Sequence, residues 1–371
     1  MYLYCFIVFF AFSIFAGSVY GETLEAIRQQ FEIYQRYSGE MEVLLTDNVK
    51  EIDNVLKRTE TKRLTVRKEL DEVQSVTKPK KGLPFPLFFE GYAAPFIHYV
   101  TVERAFAKRS LQQDKSDDTM QSIQYVYYLA DELSESGSLE LRTVAALIRL
   151  QILETVQSLL SNPFCRHEHH ELLYKIFDDR VNRGTTDKII WTRYREEGKR
   201  FFEEVARNGF DKTVAPSLLK ELQDRHAFDE YEKATVERFS HDQSVFLRVM
   251  EAIIESCTLP FYQRQPALRQ LNKELRERQG TTTEPVFAIL LLRDVTESMR
   301  LFAQEQSGNE MAYLALSVSL HGRNRRKTIN YLTGNEYEIR LITDGVMCTY
   351  KENVKPFYVP YRKITSLPFV Q

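Results

Sequence analysis

From Leu24 onward, apolar side chains recur at steps of three and four residues, and little interrupts them. Leu24, Ile27, Phe31 and Tyr34 begin the series. Met41, Leu45, Val49, Ile52 and Leu56 continue it, and Leu70 and Val73 carry it toward residue 76. Such spacing places one apolar stripe along an α-helix, with charged residues on the opposite, solvated face. Ser38-Gly39 is the one internal break, so residues 24–76 are predicted as one helix or two.

The same pattern returns in the body of the chain. It predicts helices near 96–112, 117–135, 138–160, 163–181, 187–208, 216–238, 241–257, 265–279 and 284–306. Pro163, Pro216, Pro266 and Pro285 fall near proposed starts, where a missing N–H costs least. Asp117 or Asp118 suits an N-cap, while Gly137, Gly184, Gly209 and Gly280 lie between proposed helices. Only 14 glycines and 12 prolines occur in 371 residues, too few for the turns of a sandwich or barrel. The segment "LRTVAALIRLQILETVQSLL" is apolar on most sides, as a central buried helix is. "DKIIWTRYREEGKRFFEEV" carries Trp191 on a core stripe with Ile190, Tyr194, Phe201 and Val205. The fold class is therefore mainly α: a multi-helix bundle or array, with no fixed-period repeat.

Two stretches depart from this pattern. "KPKKGLPFPLFFEGYAAPFIHYV" holds four prolines among aromatics, so no continuous helix crosses it. It reads as a loop at about 78–95 whose aromatics, over 83–99, either plug the chain's own core or present a contact patch. Beyond Gly308, "MAYLALSVSL" continues the helix or begins a strand. From Thr328 β-branched and aromatic residues alternate with turn signals at Gly334-Asn335 and Asp344-Gly345. The Asp-Gly pair marks a hairpin. The predicted organisation is a leader over 1–21, a helical body over 22–307, and an irregular or β-rich tail over 308–371 packed on the body.

The leader reading rests on Met1 to Gly21. That stretch is uncharged, with an apolar run from Leu3 to Phe15, shorter than the ~20 residues of a spanning helix. A secreted chain beginning at Glu22 is expected. No later segment reads as a membrane span; "PVFAILLLRDV" is the richest, and Arg293 and Asp294 interrupt it. There are 50 basic and 52 acidic residues, interspersed, which argues against a nucleic-acid partner. Three cysteines would remain after cleavage: Cys165, Cys257 and Cys348. In an oxidising compartment an odd count leaves one thiol buried or linking two chains as a homodimer.

Two segments concentrate chemistry. "NPFCRHEHHELLYKIF" places His167, His170 and Glu171 at helical spacing, and Cys165 with His169 at another such spacing. Zinc accepts these ligand types. Neither zinc-protease template is met, because Glu171 stands where the second histidine of H-E-x-x-H would be and the H-x-x-E-H order is reversed. Asn162 as a cap and Pro163 as a first residue explain the stretch as a helix start; histidine protonation below neutral pH is a further use. In "HGRNRRK", Arg323, Arg325, Arg326 and Lys327 form a basic segment. It is either a solvated loop, a site for an anionic surface, or an R-x-R-R cleavage sequence ending at Arg326. There is no G-x-S-x-G, phosphate-binding loop or dinucleotide fingerprint, and no cofactor is expected.

The leader, the helical body, the few cysteines, "ESCTLPFYQRQPALRQL" (255–271) and the tail ending "SLPFVQ" together resemble the mosquito salivary-gland secreted family that includes saglin and TRIO. The resemblance spans the mature chain. It implies an all-helical salivary protein without an enzymatic role, with a disulfide-linked dimer as one arrangement. The expected function is binding of a protein partner, such as a host component. The alternatives are a carrier of an apolar small molecule or lipid and, last, a metal-dependent hydrolase.

Overall fold

The computed structural model describes residues 28, 30, 43, 44, 48–74, 94–136, 138–183, 187–208, 236–277, 285–292, 295–322, 329–350 and 355–361. The leader, residues 75–93, residues 216–235 of the proposed helix over 216–238, and residues 323–327 of the basic segment over 321–327 lie outside them. Among the described residues the chain is mainly helical with a small C-terminal sheet, as the patterning predicts. The helices are α1 (Val49–Gln74), α2 (Ala94–Gln112), α3 (Ser116–Glu135), α4 (Leu139–Ser161), α5 (His167–Arg183), α6 (Asp187–Asn208), α7 (Val236–Ser256), α8 (Phe261–Glu277), α9 (Val286–Leu292) and α10 (Val295–His321). The strands are β1 (Glu338–Ile342), β2 (Gly345–Thr349) and β3 (Phe357–Pro360), antiparallel in the order β1-β2-β3.

Local chemistry sets the joints. At the end of α2, Asp114 takes a left-handed φ of 59°. Lys115 N–H then reaches Ser110 O and Asp114 N–H reaches Leu111 O, closing the helix as a Schellman turn. α3 therefore begins at Ser116, ahead of Asp117 and Asp118, which occupy its first turn instead of capping it. Ser138 caps α4 by accepting from Leu141 N–H. Asn162 ends α4 in extended conformation because Pro163 follows it, and its side chain accepts from Phe164 N–H at 2.8 Å. The predicted start of α5 at Pro163 is thus four residues early: Asn162 closes one helix and does not open the next. α8, by contrast, starts ahead of its predicted position, because Pro260 O accepts from Gln263 and Arg264 N–H, leaving Pro266 inside the helix.

Two apolar clusters fill the interior. One is built from α1 to α5, the last turns of α10, and Val346, Cys348, Phe357 and Val359 of the sheet. The other gathers α6 to α9 with the first turns of α10. α10, at 27 residues, runs through both, and Gly308 lets it approach α4: a Cβ there would lie 2.7 Å from Leu153 Cδ1. The predicted body–tail boundary at 308 therefore falls inside a helix, and "MAYLALSVSL" is its buried continuation. α4 is long and apolar enough to cross a membrane, contrary to the sequence expectation for this segment. It packs instead between α3 and α10, with Leu141, Ile148, Ile152 and Val156 buried.

The tail is stitched to both clusters. β2 and β3 lie on α4 and α10. Gln157 of α4 donates to Tyr358 O at 2.6 Å and accepts from Tyr358 N–H at 2.8 Å, closing the outer edge of β3. Tyr337 donates to Glu310 at 2.7 Å. Tyr331 and Leu332 pack on the second cluster. The hairpin predicted at Asp344-Gly345 forms with Thr343-Asp344 as its loop. Gly345 opens β2, where a Cβ would strike Val359 O and lie 2.9 Å from Pro360 Cα. Glycine is needed there for close approach of β3, not for the turn.

Candidate functional site

The histidine stretch divides by face. His167 points outward and meets Glu171 at 3.4 Å, while His169 and His170 are buried. His169 is the third residue of α5, and its Nδ1 accepts the N–H of Arg166, the residue ahead of the helix, at 3.1 Å. This is the side-chain half of a capping box. Nε2 therefore carries the proton and donates to Asp117 Oδ1 at 2.8 Å, with Arg166 bonded to the same carboxylate. Both ring nitrogens are engaged, so His169 offers no free lone pair for general-base work. Protonation would convert Nδ1 to a donor and break the capping bond. The metal candidates His167, His170 and Glu171 do not share a face, and no group of three His, Cys, Asp or Glu among the described residues is placed to hold a metal. Substituting His169 by alanine is expected to cost about 1–2 kcal/mol. His169→Asn, which keeps a capping acceptor, should cost less; thermal melting of both variants checks the order.

The largest concentration of charge lies between the two apolar clusters, and sequence reading did not find it. Arg142 and Arg149 project from α4 onto Glu305 of α10, at 2.6 Å and 2.7 Å. Arg149 also bonds Asp131 of α3 at 2.6 Å and Ala130 O at 3.1 Å. Asp131 in turn receives Arg180 of α5 at 2.6 Å, and Asp187 at the start of α6 stands 3.9 Å from Arg142. Three cations and three carboxylates thus form a ladder through five helices. Two rungs rest on rings: Arg180 over Tyr127 at 4.3 Å and Arg142 over Phe302 at 4.2 Å. Burial alone would raise the Glu305 carboxyl, but Arg142 and Arg149 outweigh it and hold it below its ordinary value. Burial raises Asp187, against the pull of Arg142. The sequence signal was present, as two arginines seven apart on the apolar side of α4. A smaller network repeats the theme: Glu103, fully buried, takes Arg67 bidentately at 2.8 and 2.7 Å and Tyr99 at 3.0 Å. Tyr99 and Phe96, the last aromatics of the 83–99 stretch, thus plug the chain's own core.

Two carboxyls titrate near neutrality. Burial pushes Glu140 to about 8 and, outweighing Arg200 and Arg193, Glu197 to about 7. In the unfolded chain both would lose their protons near 4.5. Between 4.5 and about 8 the folded protein therefore holds protons that the unfolded chain has released, and stability falls as pH rises through that window. Glu140→Gln is expected to raise the melting temperature at pH 8 more than at pH 5, by about 1–2 kcal/mol of stability, since Glu140 keeps some accessible surface. Melting curves at the two pH values check it.

All three thiols are buried. Among the described residues no disulfide is formed by Cys257 or Cys348. Burial raises Cys257 to about 11 and Cys348 to about 12, so neither is a ready nucleophile at neutral pH. A pocket of about 410 Å³ on α8 is lined by Arg269, Asn272, Lys273 and Glu277. Arg323, Arg325, Arg326 and Lys327 fall outside the described residues. The chain matches no family model, no curated protein and no solved structure.

Proposed function

We propose that this is a secreted, non-enzymatic helical protein that acts by binding a protein partner through its surface, in the salivary setting implied by the sequence resemblance. One observation carries the reading: aromatic rings pack against one another in the described interior, and its main buried charges are paired there. Phe287, Phe201, Phe202 and Phe246 pack in a chain of edge-on and tilted contacts with centroids 5.7 to 5.9 Å apart, and Trp191 packs on Phe302 at 5.9 Å. Rings therefore occupy the places where a carrier would keep a cavity. The charge ladder and His169 are likewise held by intramolecular partners, which disfavours the hydrolase alternative. The groups left for contact are exposed, among them Phe164, Ile189 and Leu259, with relative exposures of 56%, 57% and 44%. A host component fits such a surface better than a small molecule does.

Expression in insect cells tests both halves of the proposal. The expected result is a protein in the medium whose chain begins at Glu22, with no lipid or small molecule in its native mass spectrum. A plasma protein captured by the wild type should be lost with Phe164→Glu, Ile189→Glu or Leu259→Glu. Retention in cells would overturn secretion, a stoichiometric bound lipid would favour a carrier, and capture unaffected by all three variants would overturn this surface.

A further inference from the structure

We infer that β1 is the interface through which two copies of this chain associate, strand against antiparallel strand about Ile339, joining two three-stranded sheets into one. The pairing rests on groups independent of the partner-binding surface above.

The backbone parity of the hairpin comes first. Ile342 and Gly345 flank a two-residue loop, so they exchange both ladder hydrogen bonds. Pair types alternate from there, making Arg340 and Glu338 the next bonded positions toward β2. The N–H and C=O of Ile339 and Leu341 consequently point away from β2, and among the described residues they have no partner. β1 is an edge of the sheet, whereas the opposite edge is closed by Gln157 clasping Tyr358. An open edge is a template for another strand.

Side chains select the occupant. Leu341 lies directly opposite Val346 and so shares its face. Val346 and Val359 are fully buried against the helices, but Leu341 overhangs them at 68% exposure. On the other face Glu338 and Arg340 bond each other at 2.6 Å and remain more than half exposed. An antiparallel second copy centred on Ile339 sets Glu338 opposite Arg340 twice and Tyr337 opposite Leu341 twice. It also brings the outward N–H and C=O groups into register for about six hydrogen bonds. Centring on Arg340 would oppose two guanidinium groups, and centring on Leu341 would oppose Glu338 and Asp344. The strand is thus self-complementary in one register only, which favours a second copy over an unrelated strand. Five residues make a small interface, so the dimer should be in exchange with monomer, with a Kd on the order of micromolar.

Sedimentation velocity of the full secreted chain in reducing buffer tests this and removes any disulfide contribution. The wild type should shift from monomer toward dimer as concentration rises through about 1 to 200 µM. Arg340→Glu and Glu338→Arg should each weaken association about tenfold or more, because each sets like charges opposite one another. The double exchange Glu338→Arg with Arg340→Glu should restore it to near the wild-type value. Both side chains are exposed, and circular dichroism verifies that the variants fold. A wild type that stays monomeric, single variants that associate like the wild type, or a double exchange that fails to recover would each overturn the assignment.

Discussion

Replacing Glu305 by glutamine lowers the free energy of unfolding by about 3–5 kcal/mol, a large loss for an isosteric change. The shape is retained, but the charge that Arg142 and Arg149 share is lost. Both guanidinium groups are about nine-tenths buried. Arg149 would keep Asp131, whereas the one anionic partner left to Arg142 would be Asp187, at 3.9 Å. A buried charge without its partner retains its desolvation cost and forfeits the compensation. Urea unfolding followed by circular dichroism measures the loss, with the midpoint moving and the slope unchanged.

The same residue sets a pH signature. Its folded carboxyl is held below the ordinary value by Arg142 and Arg149, despite burial. The stability it contributes is therefore fully present above the unfolded value of 4.5 and is lost as pH falls through the folded value. Glu305→Gln should unfold with a shallower dependence on acid than the wild type. The ladder as a whole is a different matter. Substituting Arg142, Arg149 and Glu305 together by apolar residues of similar volume should cost much less than Glu305→Gln alone, because Asp131 keeps Arg180 and only Asp187, whose carboxyl burial already raises, loses its ladder cation. Near-equal losses in the two variants would mean that the ladder holds the helices by something other than charge pairing.

How far the sequence discloses this molecule depends on the range of each interaction. α6 falls on the predicted span, 187–208, because Gly184 and Gly209 bracket it and its apolar stripe is regular. α5 was displaced because Asn162-Pro163 is legible both as a start and as a stop. Only the extended ψ of Asn162 decides, and that follows from proline's clash with the residue before it. The hairpin was visible in its turn residues, yet the reason for Gly345 was not, since it lies in β3, fifteen residues away in Pro360. Arg149 and Glu305 are 156 residues apart. Nothing local pairs them; the crossing of α4 and α10 does. Which edge of the sheet stays open likewise depends on strand order and on Gln157, 201 residues from the Tyr358 it clasps on β3. The histidine stretch offered ligand types at helical spacing, but which ring faces the core is set by the neighbouring helix carrying Asp117.

Gly198 shows the same dependence in the apolar interior and supplies the second large effect. It lies inside α6, where alanine is ordinarily preferred by about 1 kcal/mol. Helix propensity alone would therefore make Gly198→Ala stabilising. Packing reverses the sign. A Cβ at this position would overlap Cζ and Cε1 of Phe246 and lie 3.3 Å from its Cδ1. Phe246 is fully buried on α7, with Tyr194 and Phe202 at 6.2 and 5.9 Å, so the ring cannot retreat without disturbing both neighbours. Overpacking of this kind costs about 1–3 kcal/mol beyond the propensity gain, and Gly198→Val should cost more than Gly198→Ala. Phe246→Leu alone should also destabilise, by leaving a cavity. In the double variant the new methyl group fills part of the space the ring gave up. The combined loss should then be smaller than the sum of the two single losses by about 1 kcal/mol or more, a coupling that a double-mutant cycle in urea measures directly. Additive losses would show that α6 and α7 separate to admit the methyl group instead of contesting it.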